Sequence, residues 1–187
     1  KENRFKEAYS IYEIISNKFP NDKYVSKKIL KLKNKIQNQD NLSNFNNSAL
    51  INELTNLYNK KKFNVIIEAY YNNRVLCHKG LNIVATSFKA TNNIEKSVEI
   101  YSESIDLDSN FWPSLLNRGL AYFELRSFQK AFEDFSKANE IAPNNHSIIF
   151  SLGSTLEKLK KNNDAIKCYL KVINIKKDFE PSYISLA

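Results

Sequence analysis

Apolar side chains recur every three or four residues along much of the chain, which is the spacing of one face of an α-helix. The clearest stretch is 112–145, where two apolar runs are separated by a short break at Arg126 and Ser127. The first run is Leu116, Leu120 and Phe123, and the second is Phe128, Ala131, Phe132 and Phe135. This pattern predicts two amphipathic helices that turn back on each other as a hairpin.

The hairpin pattern recurs with a fixed period of 34 residues. The matching positions are Gly119 and Gly153, Ala131 and Ala165, and Phe135 and Tyr169. Small residues in these places let two helix backbones approach closely, and the aromatic ring fills the space beside them. One hairpin of this size leaves an apolar face uncovered, so neighbouring hairpins must stack. We therefore expect an all-α chain of antiparallel helix hairpins, without β-strands.

The period and its interruptions divide the chain into segments. We predict a partial repeat plus a basic helix at 1–38, a polar linker at 39–48, an irregular helical hairpin at 49–77, repeats at 78–111, 112–145 and 146–179, and the start of a truncated repeat at 180–187. Phe63 precedes Phe128 by 65 residues rather than two full periods, so the connection over 74–80 should be irregular and about three residues short. Neither end of the sequence is a polar cap, so we expect the native protein to continue on both sides.

The unit at 112–145 resembles the tetratricopeptide repeat, a 34-residue helical hairpin with small and large residues at set spacing. The residues that carry the resemblance are Leu115, Gly119, Tyr122, Ala131, Phe135, Ala138 and Pro143. The departures are Arg118 where Leu is usual, Ser97 and Ser104 for two alanines of the preceding unit, and Val172 and Lys177 for the Ala and Pro of the following one. The resemblance implies a right-handed α-solenoid that acts as a protein-binding scaffold and has no active site.

A second and weaker resemblance covers roughly the first 75 residues. A repeat helix, a basic stretch, a polar linker and then a segment with the sequence INELTNLYNKKKF precede the repeats. This order is similar to bacterial proteins in which tetratricopeptide repeats precede a sulfotransferase or glycosyltransferase domain. The resemblance implies a context for the chain, and no catalytic residue follows from it.

The composition favours a cytoplasmic protein. The chain is 42% hydrophobic and 26% charged, and no run approaches the roughly 18 apolar residues of a membrane helix. The first residues lack the apolar region of a secretory signal. Cys77 and Cys168 lie far apart in sequence and form no CxxC motif, which gives no sign of a disulfide framework or a zinc site.

The net charge of +8 raises the alternative of a basic solenoid that binds nucleic acid. Lysines cluster over 23–35 and again at Lys60, Lys61 and Lys62. The first cluster spreads over more than one helix face, few of the cations are arginines, and no aromatic platform interleaves with it. The sequence therefore disfavours nucleic acid as a partner.

Catalysis needs a nucleophile, an acid or base and an orienting group in one pocket, and no such set can be assembled from this sequence. Cys77 and His78 are neighbours, but adjacent side chains on a helix do not face each other, so we predict a loop or helix-end role for them. His146 follows Pro-Asn-Asn, which is typical of a helix start. The acid pair at 133–134 is predicted to be solvated helix surface. We expect no enzyme activity, no metal and no cofactor in this segment.

In the family, the first helix of each unit lines a concave groove, and carrying those positions over gives a candidate partner-binding site. Its residues are Lys79, Asn82, Thr86 and Lys89, then Leu116, Asn117, Leu120 and Glu124, then Ser147, Phe150, Ser151, Ser154 and Lys158. Chaperone-binding members grip a terminal carboxylate with lysine, arginine and asparagine, and of that set this chain has Asn117. The other clamp positions are Asn82, Thr86, Ser147 and Ser151. A groove of mixed polar and apolar residues is typical of a site for an extended or helical peptide.

The sequence thus predicts a non-catalytic scaffold that binds a protein or peptide partner in the groove. The first alternative is the non-catalytic arm of a larger bacterial transferase, which would present an acceptor protein to a separate domain. The second is the basic nucleic-acid-binding solenoid. The sequence does not specify the oligomeric state.

Overall fold

The computed structural model describes residues 42–72 and 77–186, together with Ile11, Ile14 and Ile15. These residues are helical or in short turns, and none of them is in a β-strand, as the periodicity predicts. The helices are α1 (Leu42–Asn59), α2 (Phe63–Asn72), α3 (His78–Ala90), α4 (Ile94–Leu107), α5 (Trp112–Glu124), α6 (Phe128–Ile141), α7 (His146–Lys158), α8 (Asn162–Ile175) and α9 (Glu180–Ile184). No helix within these ranges is both long enough and apolar enough to cross a membrane.

The chain divides into two compact units, Lys1–Asn92 and Asn93–Ala187. In the first unit, α1, α2 and α3 pack against one another. In the second unit, each helix from α4 to α9 packs against the next one along the chain, and α5 also contacts α7. The pairs α5/α6 and α7/α8 are helical hairpins, and they stack on each other through α6 and α7.

The hairpins of the second unit are held by the small and aromatic residues that the period identified. Ala131 and Phe135 are fully buried, as are their counterparts Ala165 and Tyr169 one period later. A Cβ atom added at Gly119 would lie 2.6 Å from Cε1 of Phe135, and one added at Gly153 would lie 2.8 Å from Cε1 of Tyr169. Both distances are shorter than a van der Waals contact, so α5 and α7 approach their partner helices as closely as only glycine permits.

The serines that replace two alanines of the preceding unit are tolerated because their hydroxyl groups are satisfied. Ser97 and Ser104 are fully buried on α4. The hydroxyl of Ser97 donates to the carbonyl oxygen of Ile94 at 2.7 Å, and that of Ser104 lies 2.6 Å from the hydroxyl of Ser114 on α5. Buried hydroxyls with such partners carry little penalty, and the contact of Ser104 with Ser114 joins two neighbouring helices.

The turn inside each helix pair has the same backbone conformation. Residues with a left-handed φ are Lys61 (54°), Asn92 (63°), Arg126 (56°) and Lys160 (61°). The last three are spaced by 34 residues, whereas 31 separate Lys61 from Asn92, which matches the predicted shortfall of about three. After α7, the N–H of Lys160 donates to the carbonyl of Glu157 at 2.9 Å and that of Lys161 to Leu156 at 2.8 Å. This pair of bonds is the Schellman motif, in which the left-handed residue satisfies the last carbonyls of the helix.

Two predicted connections differ from the structure. The polar linker predicted at 39–48 is wrong from residue 42 onward, because α1 begins at Leu42. That stretch is rich in Asn and Ser but contains neither Gly nor Pro, and polar composition alone does not stop a helix. The connection predicted over 74–80 ends earlier than expected, since α3 begins at His78 and contains Gly80.

The predictions for the amino-terminal segment lie largely outside the described residues. Ile11 and Ile15 are buried, and together with Ile14 they are helical. The basic helix predicted within 1–38 and residues 73–76 are outside the described ranges.

Substitution of Gly119 by alanine tests the close approach of α5 and α6. We expect Gly119→Ala to lower the free energy of unfolding by about 1–3 kcal/mol, because the new methyl group overlaps the Phe135 ring in a packed core. The measurement is urea denaturation of Gly119→Ala, Phe135→Leu and the double variant. If the clash is the cause, Gly119→Ala will cost less in the Phe135→Leu background, whereas additive costs would place the cause elsewhere.

Substitution of Lys160 by glycine tests the turn geometry. We expect Lys160→Gly to raise the free energy of unfolding by about 0.5–1 kcal/mol, because the left-handed conformation is strained for lysine and not for glycine. Lys137→Gly is the control, since it places glycine on the exposed side of the α6 interior, where it should cost about 1 kcal/mol. A thermal melt that shows both variants equally destabilised would contradict the assigned turn.

Candidate functional site

The predicted groove residues all lie on first helices of the pairs. Lys79, Asn82, Thr86 and Lys89 are on α3, in the first unit, and the other nine are on α5 and α7, in the second. Each of them is exposed or half-buried, and none is buried. Helices α5 and α7 contact each other directly, so the nine positions in the second unit lie on two adjacent helices.

Most groove positions on α5 have an equivalent on α7 one 34-residue period later. The pairs related by one period are Leu116 and Phe150, Asn117 and Ser151, Leu120 and Ser154, and Glu124 and Lys158. The first pair is therefore apolar, the middle pairs combine amide, hydroxyl and apolar side chains, and the last pair has opposite charges near the helix ends. These positions have no excess of either charge.

The hydroxyl groups on these helices are engaged with their own backbone. The Ser151 hydroxyl donates to the carbonyl of Ser147 at 2.9 Å, and on α3 the Thr86 hydroxyl donates to the carbonyl of Asn82 at 2.6 Å. Each hydroxyl has one proton, and these protons are already used. In this state Ser151 keeps oxygen lone pairs that can accept a hydrogen bond from a ligand.

Phe150 has a packing role in addition to its place in the predicted groove. Its ring centre lies 5.6 Å from that of Tyr169 and 5.2 Å from that of Phe179, which also meets His146 edge-on. The Tyr169 hydroxyl donates to the Glu157 carboxylate at 3.0 Å, and burial raises the pKa of this phenol. The proton is therefore retained at neutral pH, and the aromatic cluster joins α7, α8 and the start of α9.

A partly buried ion pair, which the sequence pattern did not predict, lies beside the groove positions of α5. Arg118 donates through Nε to Oδ2 of Asp134 at 2.8 Å and through Nη2 to Oδ1 at 2.7 Å. Its Nη1 donates to the Ser102 hydroxyl at 2.9 Å, and its guanidinium carbon lies 5.8 Å from the centre of the Tyr122 ring. One side chain thus ties α5 to both α4 and α6.

The prediction that Asp134 is solvated helix surface is wrong, because Asp134 is buried against Arg118. Burial acts to lower the pKa of the guanidinium, but the hydrogen bond and charge of Asp134 more than offset this, so the pKa of Arg118 lies above its ordinary value. The identity of Arg118 could have indicated this contact from the sequence, because a buried arginine in place of the usual leucine needs an acidic partner nearby.

The cysteine and histidine residues lie at helix starts or pack within the hairpins. The Cys77 sulfur accepts a hydrogen bond from the N–H of Gly80 at 3.3 Å and caps α3, while His78 is the first residue of that helix. His146 begins α7, as predicted, but the capping group is Asn145, whose Oδ1 accepts from Ser147 and Ile148. Burial raises the pKa of the Cys168 thiol, which disfavours the reactive thiolate.

Across the described ranges, no group of three or more His, Cys, Asp or Glu residues is arranged to hold a metal ion. The basic cluster Lys60, Lys61 and Lys62 is exposed at the turn between α1 and α2. The larger lysine cluster over 23–35 lies outside these ranges.

Comparison with known proteins identifies the repeats. The tetratricopeptide repeat family matches residues 112–145 and 146–179. These ranges contain the hairpins α5/α6 and α7/α8. The chain is therefore a tetratricopeptide repeat protein over residues 112–179.

The chain is similar in sequence to part of a known enzyme and in fold to several solved structures. The chain is 40% identical over 57 residues to a UDP-N-acetylglucosamine–peptide N-acetylglucosaminyltransferase from Giardia intestinalis, and that match spans 30% of this chain and 4% of the transferase. The crystal structure of the MamA protein has a TM-score of 0.66 at 18% identity, over 92% of this chain and 93% of that one. The first repeat domain of Spaghetti (RPAP3), bound to the HSP90 peptide SRMEEVD, has a TM-score of 0.56 at 21% identity, over 57% of this chain and 84% of that one.

Removal of one partner of the ion pair tests its contribution to the fold. We expect Asp134→Asn to lower the free energy of unfolding by about 1.5–3 kcal/mol, because the guanidinium loses its counter-charge and its bidentate acceptor. The matched control replaces both partners, Arg118→Leu with Asp134→Leu, and should lie within about 1 kcal/mol of the wild type, as apolar replacements of buried pairs often do. Calorimetry that shows the double variant as the less stable of the two would contradict this account.

Proposed function

We propose that this tetratricopeptide repeat chain is a non-catalytic interaction scaffold, in the cytoplasm, that binds a protein or peptide segment across α5 and α7. The observation that supports the proposal is that nine half-buried or exposed positions lie on two first helices that contact each other. Peptide-bound repeat domains such as that of Spaghetti (RPAP3) have the same fold, which supports a peptide-sized ligand.

The ligand's chemistry follows from the side chains on this surface. Leu116, Leu120 and Phe150 can cover an apolar side chain, and the Ser151 oxygen can accept a backbone or side-chain N–H. The opposite charges of Glu124 and Lys158 give no net attraction for a strongly acidic or basic segment. We therefore propose an extended or helical peptide of mixed polarity, bound mainly by shape and by apolar contact.

Affinity capture with the whole chain as bait tests the proposal. Leu120→Ser and Asn117→Ala alter the surface, and Glu133→Lys, on the exposed side of α6, is the control. We expect the partner to be lost or reduced with the surface variants and kept with the control, with all three variants melting close to the wild-type temperature. A partner captured equally by all four baits would bind elsewhere and would contradict the assignment.

A second candidate function rests on the similarity to peptide N-acetylglucosaminyltransferases. That match covers a fraction of this chain and a small part of those enzymes. In this second case the same repeats would be the non-catalytic arm of a larger transferase and would present an acceptor protein to a separate domain. Sequencing of the complete gene would decide between the two functions, since the second requires a transferase domain on the same chain.

The groove should not bind an acidic carboxy-terminal tail. We expect no saturable binding of the peptide SRMEEVD below about 100 µM, because a buried carboxylate needs charged or multiple donors, and the clamp positions on α7 hold the neutral residues Ser147 and Ser151. Isothermal titration calorimetry measures this directly. Ser147→Lys combined with Ser151→Arg should create detectable affinity, and micromolar binding by the unmodified chain would refute the groove assignment.

A further inference from the structure

The turns inside the two hairpins of the second unit carry exposed cations. Arg126 lies in the turn between α5 and α6, and Lys130 follows it in the first turn of α6. Lys160 and Lys161 lie in the turn between α7 and α8. These four residues, which we call the basic edge, are exposed, and none forms an ion pair within the ranges that the structure describes. Both turns belong to complete hairpins, so their exposure is a property of the hairpins themselves.

Contacts between cations and aromatic rings connect the two turns. The Nζ atom of Lys161 lies 5.3 Å from the centre of the Phe132 ring on α6, so the second turn reaches the preceding hairpin. On that hairpin, the Nζ atom of Lys130 lies 5.5 Å from the centre of the Tyr122 ring on α5. Ammonium groups from both hairpins therefore lie along one edge of the second unit.

The charge around the basic edge is positive. Residues 124–130 and 157–161 contain five cations and two carboxylates, which gives a net charge of +3. The additional cation is Lys158, and the carboxylates belong to Glu124 and Glu157, all three near the ends of the first helices. An excess of this sign attracts an anionic partner and speeds its association.

Two of the four cations occupy backbone positions that are unfavourable for long side chains. Arg126 and Lys160 have left-handed φ angles of 56° and 61°, a conformation that Gly and Asn adopt more easily. Asn92 has the same conformation one period before Arg126, so this turn accepts a neutral residue. Strained cations at positions where asparagine also fits point to a role for their charge beyond folding.

We propose that the basic edge is a second docking site, separate from the groove, for an acidic segment of a partner protein. Charge complementarity sets the sign of the partner. The repetition of cations from one hairpin to the next suits an extended stretch rich in Asp and Glu that passes both turns.

The rings at this edge favour an acidic protein segment over a nucleic acid of the same charge. Single-stranded nucleic acid binds largely by stacking its bases on aromatic side chains. The rings of Tyr122 and Phe132 already have Lys130 and Lys161 positioned over them, so they are poor platforms for bases. Carboxylates need only the cations.

The test uses a variant that removes charge without straining the turns. Arg126→Asn combined with Lys160→Asn eliminates two cations and introduces a residue that tolerates the left-handed conformation, so the fold should be kept. The probe is a fluorescent oligoglutamate of about twelve residues, which extends to about 40 Å. Fluorescence anisotropy with the whole chain at low ionic strength should give saturable binding with a Kd below about 100 µM. The double variant should bind the probe about fivefold more weakly.

Two controls locate the binding. Lys137→Asn combined with Lys177→Asn removes the same number of cations from exposed positions outside the turns and should change the affinity by less than about twofold. Leu120→Ser, in the groove, should leave the affinity unchanged, so this proposal and the proposed function can fail separately. Absence of saturable binding, or equal weakening by the two double variants, would overturn the proposal. Tighter binding of an oligothymidine of the same length, weakened by Arg126→Asn with Lys160→Asn, would also overturn it, because nucleic acid would then be the occupant.

Discussion

The close approach of the two helices in each hairpin is the constraint on which the rest of the structure depends. At Gly119 the neighbouring helix is so near that the Phe135 ring occupies the space of a Cβ atom, and the same contact recurs between Gly153 and Tyr169. This approach requires a small residue on one helix and an aromatic residue on the other, one period after another. It also aligns the first helices of successive hairpins, which places equivalent side chains of α5 and α7 at matched levels.

The proposed binding surface is a consequence of that alignment. Buried residues of both helices in each hairpin, such as Leu115 and Phe135, form the core. The predicted groove positions on α5 and α7 stay half-buried or exposed, although Leu116 and Phe150 also pack against the core. The ion pair of Arg118 with Asp134 stabilises the packing of α5, since it joins α5 to α6 and reaches Ser102 on α4. A packed core behind partly exposed polar and apolar side chains is the arrangement that the proposed binding role requires.

The 34-residue period made the hairpins of the second unit predictable, because Gly119, Ala131 and Phe135 each have a steric role that few residues can replace. The groove positions followed from the same register, and whether they bind a partner is still a prediction. Asp134 was misread because its neighbour along the chain is also acidic and exposed, and the contact that buries it comes from another helix. The start of α1 was misplaced because an Asn-rich segment without Gly or Pro has no local signal that distinguishes a weak helix from a linker. The cap formed by Cys77 depends on backbone geometry, which residue type alone does not reveal.

The central claim is that the joint surface of α5 and α7 contacts the partner. Hydrogen–deuterium exchange of the chain, alone and bound to a captured partner, tests this directly, because amide protection reports which helices the partner stabilises. The account predicts slower exchange in residues 112–124 and 146–158 of the complex, with little change in α4 and α6. Protection confined to α4 and α6, with α5 and α7 unchanged, would contradict it.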